Sequence, residues 1–135
     1  MNKSDNTSGE LPMTVLVDGE PQLEYHRGKP LADAQREYLD RMDGAMESGI
    51  QLGGVEVMRP DTLQRAQFVA IQVIEALRSG NDALSAAGCA YLATRLPDLT
   101  QVRARLVDGG FSAELVFNQP YVKEATVSFS PRRLS

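Results

Sequence analysis

Hydrophobic positions follow two periods along this chain, and they change over between Pro60 and Phe117. Leu63, Ala66, Ala70, Val73, Ile74 and Leu77 recur at helical spacing, and Phe68, Val69 and Ile71 widen the stripe nearly all the way round. A helix with so narrow a polar strip is mostly buried, in its own core or in a subunit interface. Asp61 with Gln64 three residues on gives it a capping-box start, and Ser79-Gly80 a stop. Asp82 is placed to cap the next helix, which is crowded with small residues from Ala83 to Ala93 and ends before Pro97. Small side chains let backbones approach, so this helix is expected to pack tightly on a neighbour.

From Gln101 to Phe117 the period becomes two. Val102, Ala104 and Leu106 alternate with Arg103 and Arg105; after Asp108-Gly109-Gly110, Phe111, Ala113, Leu115 and Phe117 alternate with Ser112, Glu114 and Val116. This predicts an antiparallel hairpin, with Arg103 or Arg105 across from Glu114. A second hairpin is expected where Asp18-Gly19 separates Met13–Val17 from Gln22–Arg27, with Pro21 at an edge or in the loop. Ile50–Met58 alternates around Gly53-Gly54, as a bulged strand or a loop leading into one. Glu124–Ser130 reads as a last strand, and residues 1–12 as a disordered polar tail.

Between the first hairpin and Ile50, a helix is expected to begin with Pro30 in its first turn and to run to about Glu47, ending at Ser48-Gly49. Ala34, Tyr38, Met42 and Ala45 mark its inner face, widened by Leu31, Leu39 and Met46. Its outer face is acidic, with Arg36 and Asp40, and Glu37 and Arg41, spaced to pair. Together these elements predict one α+β domain over 13–135: an antiparallel sheet of four to five strands, packed on one face by three helices.

Composition narrows the function more than it names it. At 135 residues the chain suits one domain with a real core. A net charge of −4 argues against a nucleic-acid binder, whose affinity rests on clustered cations. A single cysteine forbids an internal disulfide and suits a reducing cytoplasm. The first residues hold no secretory apolar region, and no apolar run reaches the roughly 20 residues of a membrane helix.

The main candidate site is the stretch Tyr25-His26-Arg27-Gly28-Lys29-Pro30. His26, Arg27 and Lys29 stand just before a helix start, where free backbone N–H groups attract anions. A phosphate, a carboxylate or an acidic peptide fits there; a solvated basic loop offsetting the acidic helix is the plainer alternative. His26 is the only histidine, so no multi-histidine metal site exists within one chain, and no cofactor is implied. Cys89 with His26 is a formal nucleophilic pair, but a cysteine among alanines reads as a small buried hydrophobe. The carboxylates of the first helix read as a solvated face, and Met42 and Met46 as core. Two helices joined near Gly80 suggest a DNA reader only faintly, since the second carries one basic residue, Arg95. No nucleophile elbow, phosphate loop or paired CxxC is present.

The expectation is therefore a non-enzymatic binding or accessory module acting as a homo-oligomer, without nucleic acid or membrane as partner. Excess apolar surface on Phe68–Leu77 beside the small-residue helix motivates self-association. The rival is a binder of a small anionic ligand, or an enzyme, with a pocket between sheet and helices at His26, Arg27 and Lys29.

Overall fold

The chain first turns at Asp18-Gly19, where both residues are left-handed (φ 51° and 83°). That geometry matches the twist of the flanking strands, and Asp-Gly adopts it readily. It joins β1 (Met13–Val17) to β2 (Glu20–Tyr25) in an antiparallel hairpin. Pro21 lies on the outer edge strand beside a register shift after Val15, where its missing N–H matters least. The computed structural model describes residues 11–122. The expected last strand, Glu124–Ser130, and all but the end of the expected tail lie outside the described residues.

β5 (Leu99–Val107) and β6 (Gly110–Phe117) form the hairpin expected from the alternation, with Arg103 opposite Glu114. The four strands make one sheet in the order β2-β1-β5-β6. The central pair, β1 and β5, is parallel, so the sheet is mixed where the pattern suggested an antiparallel one. The ends of the chain segments explain this. The Arg27 guanidinium donates to the carbonyls of Leu11, just before β1, and of Leu99, at the start of β5. Both strands therefore leave from the same end. Asp18 fixes the other end, donating its N–H to Ala104 O (2.8 Å) and accepting from Leu106 N–H (2.9 Å).

Three helices cover one face of the sheet. They are α1 (Asp33–Glu47), α2 (Thr62–Ser79) and α3 (Asp82–Arg95). The α2 capping box is as the spacing predicts: Asp61 Oδ1 accepts from Gln64 N–H, and Gln64 Oε1 from Asp61 N–H. Gly80 closes α2 in the left-handed conformation. α3 is capped by Asn81, whose Oδ1 accepts from Leu84 N–H; Asp82 is already the first helical residue. Gly88 of α3 faces Val73 of α2 so closely that a Cβ there would lie 2.4 Å from Val73 Cγ2. The small-residue helix thus packs as its composition implies.

α1 differs from expectation at its start and in its inner face. It begins at Asp33, not at Pro30, because Gln35 Oε1 accepts from Ala32 N–H and fastens the first turn there. Leu39 and Met46 are its buried residues, with Met42 half-buried between them, while Ala34, Tyr38 and Ala45 are exposed. The Gly53-Gly54 pair is a two-residue hairpin turn (φ 60° and 79°), not a bulge, and joins β3 (Ile50–Leu52) to β4 (Val55–Val57).

A single core gathers Met13, Val15, Val102 and Ala104 from the sheet with Val69, Val73, Ile74, Tyr91 and Leu92 from the helices. The far face of the sheet is partly covered too. After β6 the chain crosses behind it: Gln119 N–H donates to Thr100 Oγ1 (3.0 Å), and Gln101 Nε2 donates to Gln119 O (2.6 Å). Thr14, Leu16 and Gln101 are buried on that side, where the pattern alone implied a wet face.

Candidate functional site

The connection from β2 to α1 runs past the C-terminal end of α3, and a groove of about 430 Å³ opens between them. That is within the range of small-ligand clefts. Tyr25, Pro30, Leu31, Ala93 and Pro97 give it apolar walls. Arg27, Lys29, Arg36 and Arg95 supply four cations, and Asp40 one carboxylate.

The three residues singled out in the sequence have different fates. Lys29 lines the groove and has no ion-pair partner among the described residues. Arg27 also lines it, but its guanidinium is already engaged. It donates to the carbonyls of Ala93 (3.2 Å), Leu96 (3.1 Å), Leu99 (2.6 Å) and Leu11. These are the last carbonyls of α3 and the ends of two strands, so Arg27 acts as a structural clasp. His26 points elsewhere: it is 72% exposed and its Nε2 lies 3.3 Å from Glu24 Oε1. Cys89 is fully buried, and burial pushes its thiol up to about 12. A thiol held neutral beneath the surface is no nucleophile, and the Cys89–His26 pair does not form.

Arg36 and Arg95 complete the cationic lining. Arg36 sits 3.2 Å from Asp33 Oδ1 across a turn of α1. Arg95 is held more firmly, because it belongs to a polar cluster that ties the three helices together. Asp43 of α1 accepts from Arg65 Nη1 of α2 (3.0 Å) and from Tyr91 OH of α3 on one oxygen. Its other oxygen accepts from Arg95 Nε (2.9 Å). Arg95 Nη2 then reaches Asp40 Oδ1 (3.0 Å), and its guanidinium lies over the Tyr91 ring, 5.5 Å from the centroid.

The electrostatics follow from these contacts. Burial pulls the Asp43 carboxyl up, but the hydrogen bonds from Tyr91, Arg65 and Arg95 outweigh it and hold it below its ordinary value. Burial, and then the bond to Asp43, push the Tyr91 phenol up. Burial opposes the charge on Arg95, yet its bonds to Asp43 and Asp40 raise it overall.

The acidic face of α1 is solvated as its pattern implies at Asp33, Glu37, Asp40 and Glu47, and departs from it at the half-buried Asp43. The pairs that the spacing allows do not form: Asp40 and Asp43 turn to Arg95, Arg36 turns to Asp33, and Arg41 lies over the Tyr38 ring. Arg95 is distant in sequence from the other charged residues of the groove, and its place at the end of α3 just before Pro97 is the only local sign of it.

Among the described residues, no three His, Cys, Asp or Glu side chains come together as metal ligands. No described helix is long and apolar enough to cross a membrane. Compared with known proteins, the chain matches no family model, no curated protein and no solved structure.

Proposed function

We propose that this chain is a binding module, not a catalyst, and that its groove takes a small ligand carrying a carboxylate or a phosphate. One observation carries the reading: the lining of a concave site with apolar walls holds four cationic side chains and a single carboxylate. Such walls fit the body of a ligand while a few polar groups orient it. Lys29 and the two arginines, Arg36 and Arg95, are the anion-binding residues; Arg27 shapes the site through the backbone it clasps. The buried thiol of Cys89 and the outward-facing His26 stand outside the groove, which favours binding over chemistry. The proposed compartment is the cytoplasm, supported by a cysteine count that allows no internal disulfide.

The test is a titration with inorganic phosphate and with a small dicarboxylate, followed by amide chemical shifts. Shifts are expected at Lys29–Arg36 and at Ala93–Pro97. Replacing Lys29 and Arg36 together by Ala should abolish them while the melting temperature stays within about 2 °C, since exposed charges contribute little to stability. Arg27→Ala should instead lower the melting temperature clearly. Silence of those amides at tens of millimolar of both anions defeats the proposal.

A second reading rests on a different surface. Between α1 and α3 runs an apolar trough lined by Ala34, Tyr38, Ala83, Ala86, Ala87 and Ala90. Symmetric pairing of two copies through this trough would cover Tyr38, which is 41% exposed. Light scattering that gives the monomer mass at 100 micromolar eliminates it.

A further inference from the structure

The groove's single carboxylate carries an inference that rests on the anion-binding reading. Arg95 is oriented before any ligand arrives. Asp43 Oδ2 holds its Nε (2.9 Å), and the Tyr91 ring lies under its guanidinium. These contacts engage Nε and one face of the group and leave Nη2 to another partner. What meets Nη2 is Asp40 Oδ1, 3.0 Å away.

Asp40 is unlike Asp43 in every respect that matters for exchange. Its side chain is 76% exposed, against 26% for Asp43. Arg95 is its only partner among the described residues, whereas Asp43 has three. Asp40 also stands four residues after Arg36, one helical turn away on α1, and Arg36 lines the same groove. Arg36 itself pairs with Asp33, so Arg95 is the cation that Asp40 holds.

We propose that Asp40 is a built-in occupant of the anion site: its carboxylate holds the open edge of Arg95 until an incoming carboxylate or phosphate displaces it. Displacement releases Asp40 to solvent, to which its side chain is already largely exposed. The device sets affinity, because every anion that takes Arg95 must first displace the same carboxylate. A weak monoanion only exchanges one carboxylate for another on Arg95 and gains little. An anion that reaches Arg95 and Lys29 together gains a contact Asp40 does not make. The groove therefore favours dianions, phosphate monoesters or dicarboxylates, over acetate-like ligands.

The experiment compares Asp40→Asn with the intact chain, using inorganic phosphate and acetate as probes. Glu37→Gln serves as a control that removes one negative charge from the same helix outside the groove lining. Asp40→Asn is expected to bind phosphate about fivefold more tightly, the equivalent of an exposed ion pair no longer in competition. Acetate should gain by a similar factor, because both anions displace the same carboxylate. Glu37→Gln should change either affinity by less than about twofold. If Asp40→Asn binds no better than the intact chain, or no better than Glu37→Gln, Asp40 is not the occupant, while the groove reading survives. If neither the intact chain nor Asp40→Asn binds phosphate, the groove reading itself falls and this inference with it. The melting temperature of Asp40→Asn, expected to be unchanged, separates loss of the pair from loss of the fold.

Discussion

Gly88 shows how a residue can be forced by packing while its own helix argues against it. An alanine at an internal helical position is ordinarily favoured over glycine by about 1 kcal/mol. Here the added Cβ would meet Val73 Cγ2 at 2.4 Å, well inside contact distance. Val73 is branched at Cβ and fully buried, so its side chain has no other rotamer to retreat to at low cost. Overpacking costs about 1–3 kcal/mol and should exceed the helical gain. Gly88→Ala is therefore expected to lower the urea midpoint, by about 1 kcal/mol of net stability. Adding Val73→Ala should recover part of the clash at the expense of a cavity. A Gly88→Ala protein more stable than the parent would mean that α2 and α3 do not meet as described. Arg27 makes a similar point about chemistry. Its position before a helix was legible as a basic residue near an anion-friendly end, but its four carbonyl partners come from residues 11, 93, 96 and 99. No local pattern announces a clasp assembled from such distant backbone.

At the level of elements, hydrophobic period and turn chemistry were readable, and side-chain direction was not. The two terminal strand pairs and the three helices followed from spacing, because burial of one face imposes its period on the chain. α1 starts three residues later than Pro30 and buries Leu39 and Met46. Its apolar residues form two overlapping stripes, and Leu39–Met42–Met46 won because it also brings Asp43 against Arg65, Tyr91 and Arg95. A carboxylate inside the helical layer looks, in sequence, like one more charge on a wet face. The start of α3 offers a sharper test, since Asn81 and Asp82 are both good caps on composition alone. Asn81 holds the Leu84 N–H, while Asp82 only complements the helix dipole from the first turn. Asn81→Ala should cost about 1 kcal/mol, and Asp82→Ala only a few tenths. Thermal or urea unfolding of the two variants decides it, and the reverse order would move the helix start by one residue.

For the whole molecule, the decisive contacts are those that join separate elements. Parallel pairing of β1 with β5 depends on where the helical layer returns the chain, and the strand sequences hold no sign of it. The groove has the same origin: its lining comes from β2, the following connection, α1 and the end of α3, so only Arg27 and Lys29 of its cations stood out beforehand. Asp43 is the knot of this arrangement, with one carboxylate serving α2 and α3 at once. Its bonds hold it ionised in the folded state below the pH at which it would protonate in the unfolded chain. The unfolded state therefore binds the proton more readily, and stability rises with pH across that interval. The contribution is complete above the unfolded carboxylate value of about 4 and is lost as pH falls through the lower folded value. Asp43→Asn removes the charge but keeps the shape, leaving Arg65 without a counter-ion and Arg95 with Asp40 alone. It is expected to cost about 2–3 kcal/mol at pH 7, toward the low end for a buried pair because the cluster keeps some solvent contact. As pH falls below about 4 the gap between the two proteins should narrow, because the protonated carboxyl resembles the amide. Urea unfolding of both chains across that range reads the difference directly. A gap that stays constant down to pH 2 would show that the carboxylate charge does not hold the helices, and that the cluster is shaped by packing around Tyr91 instead.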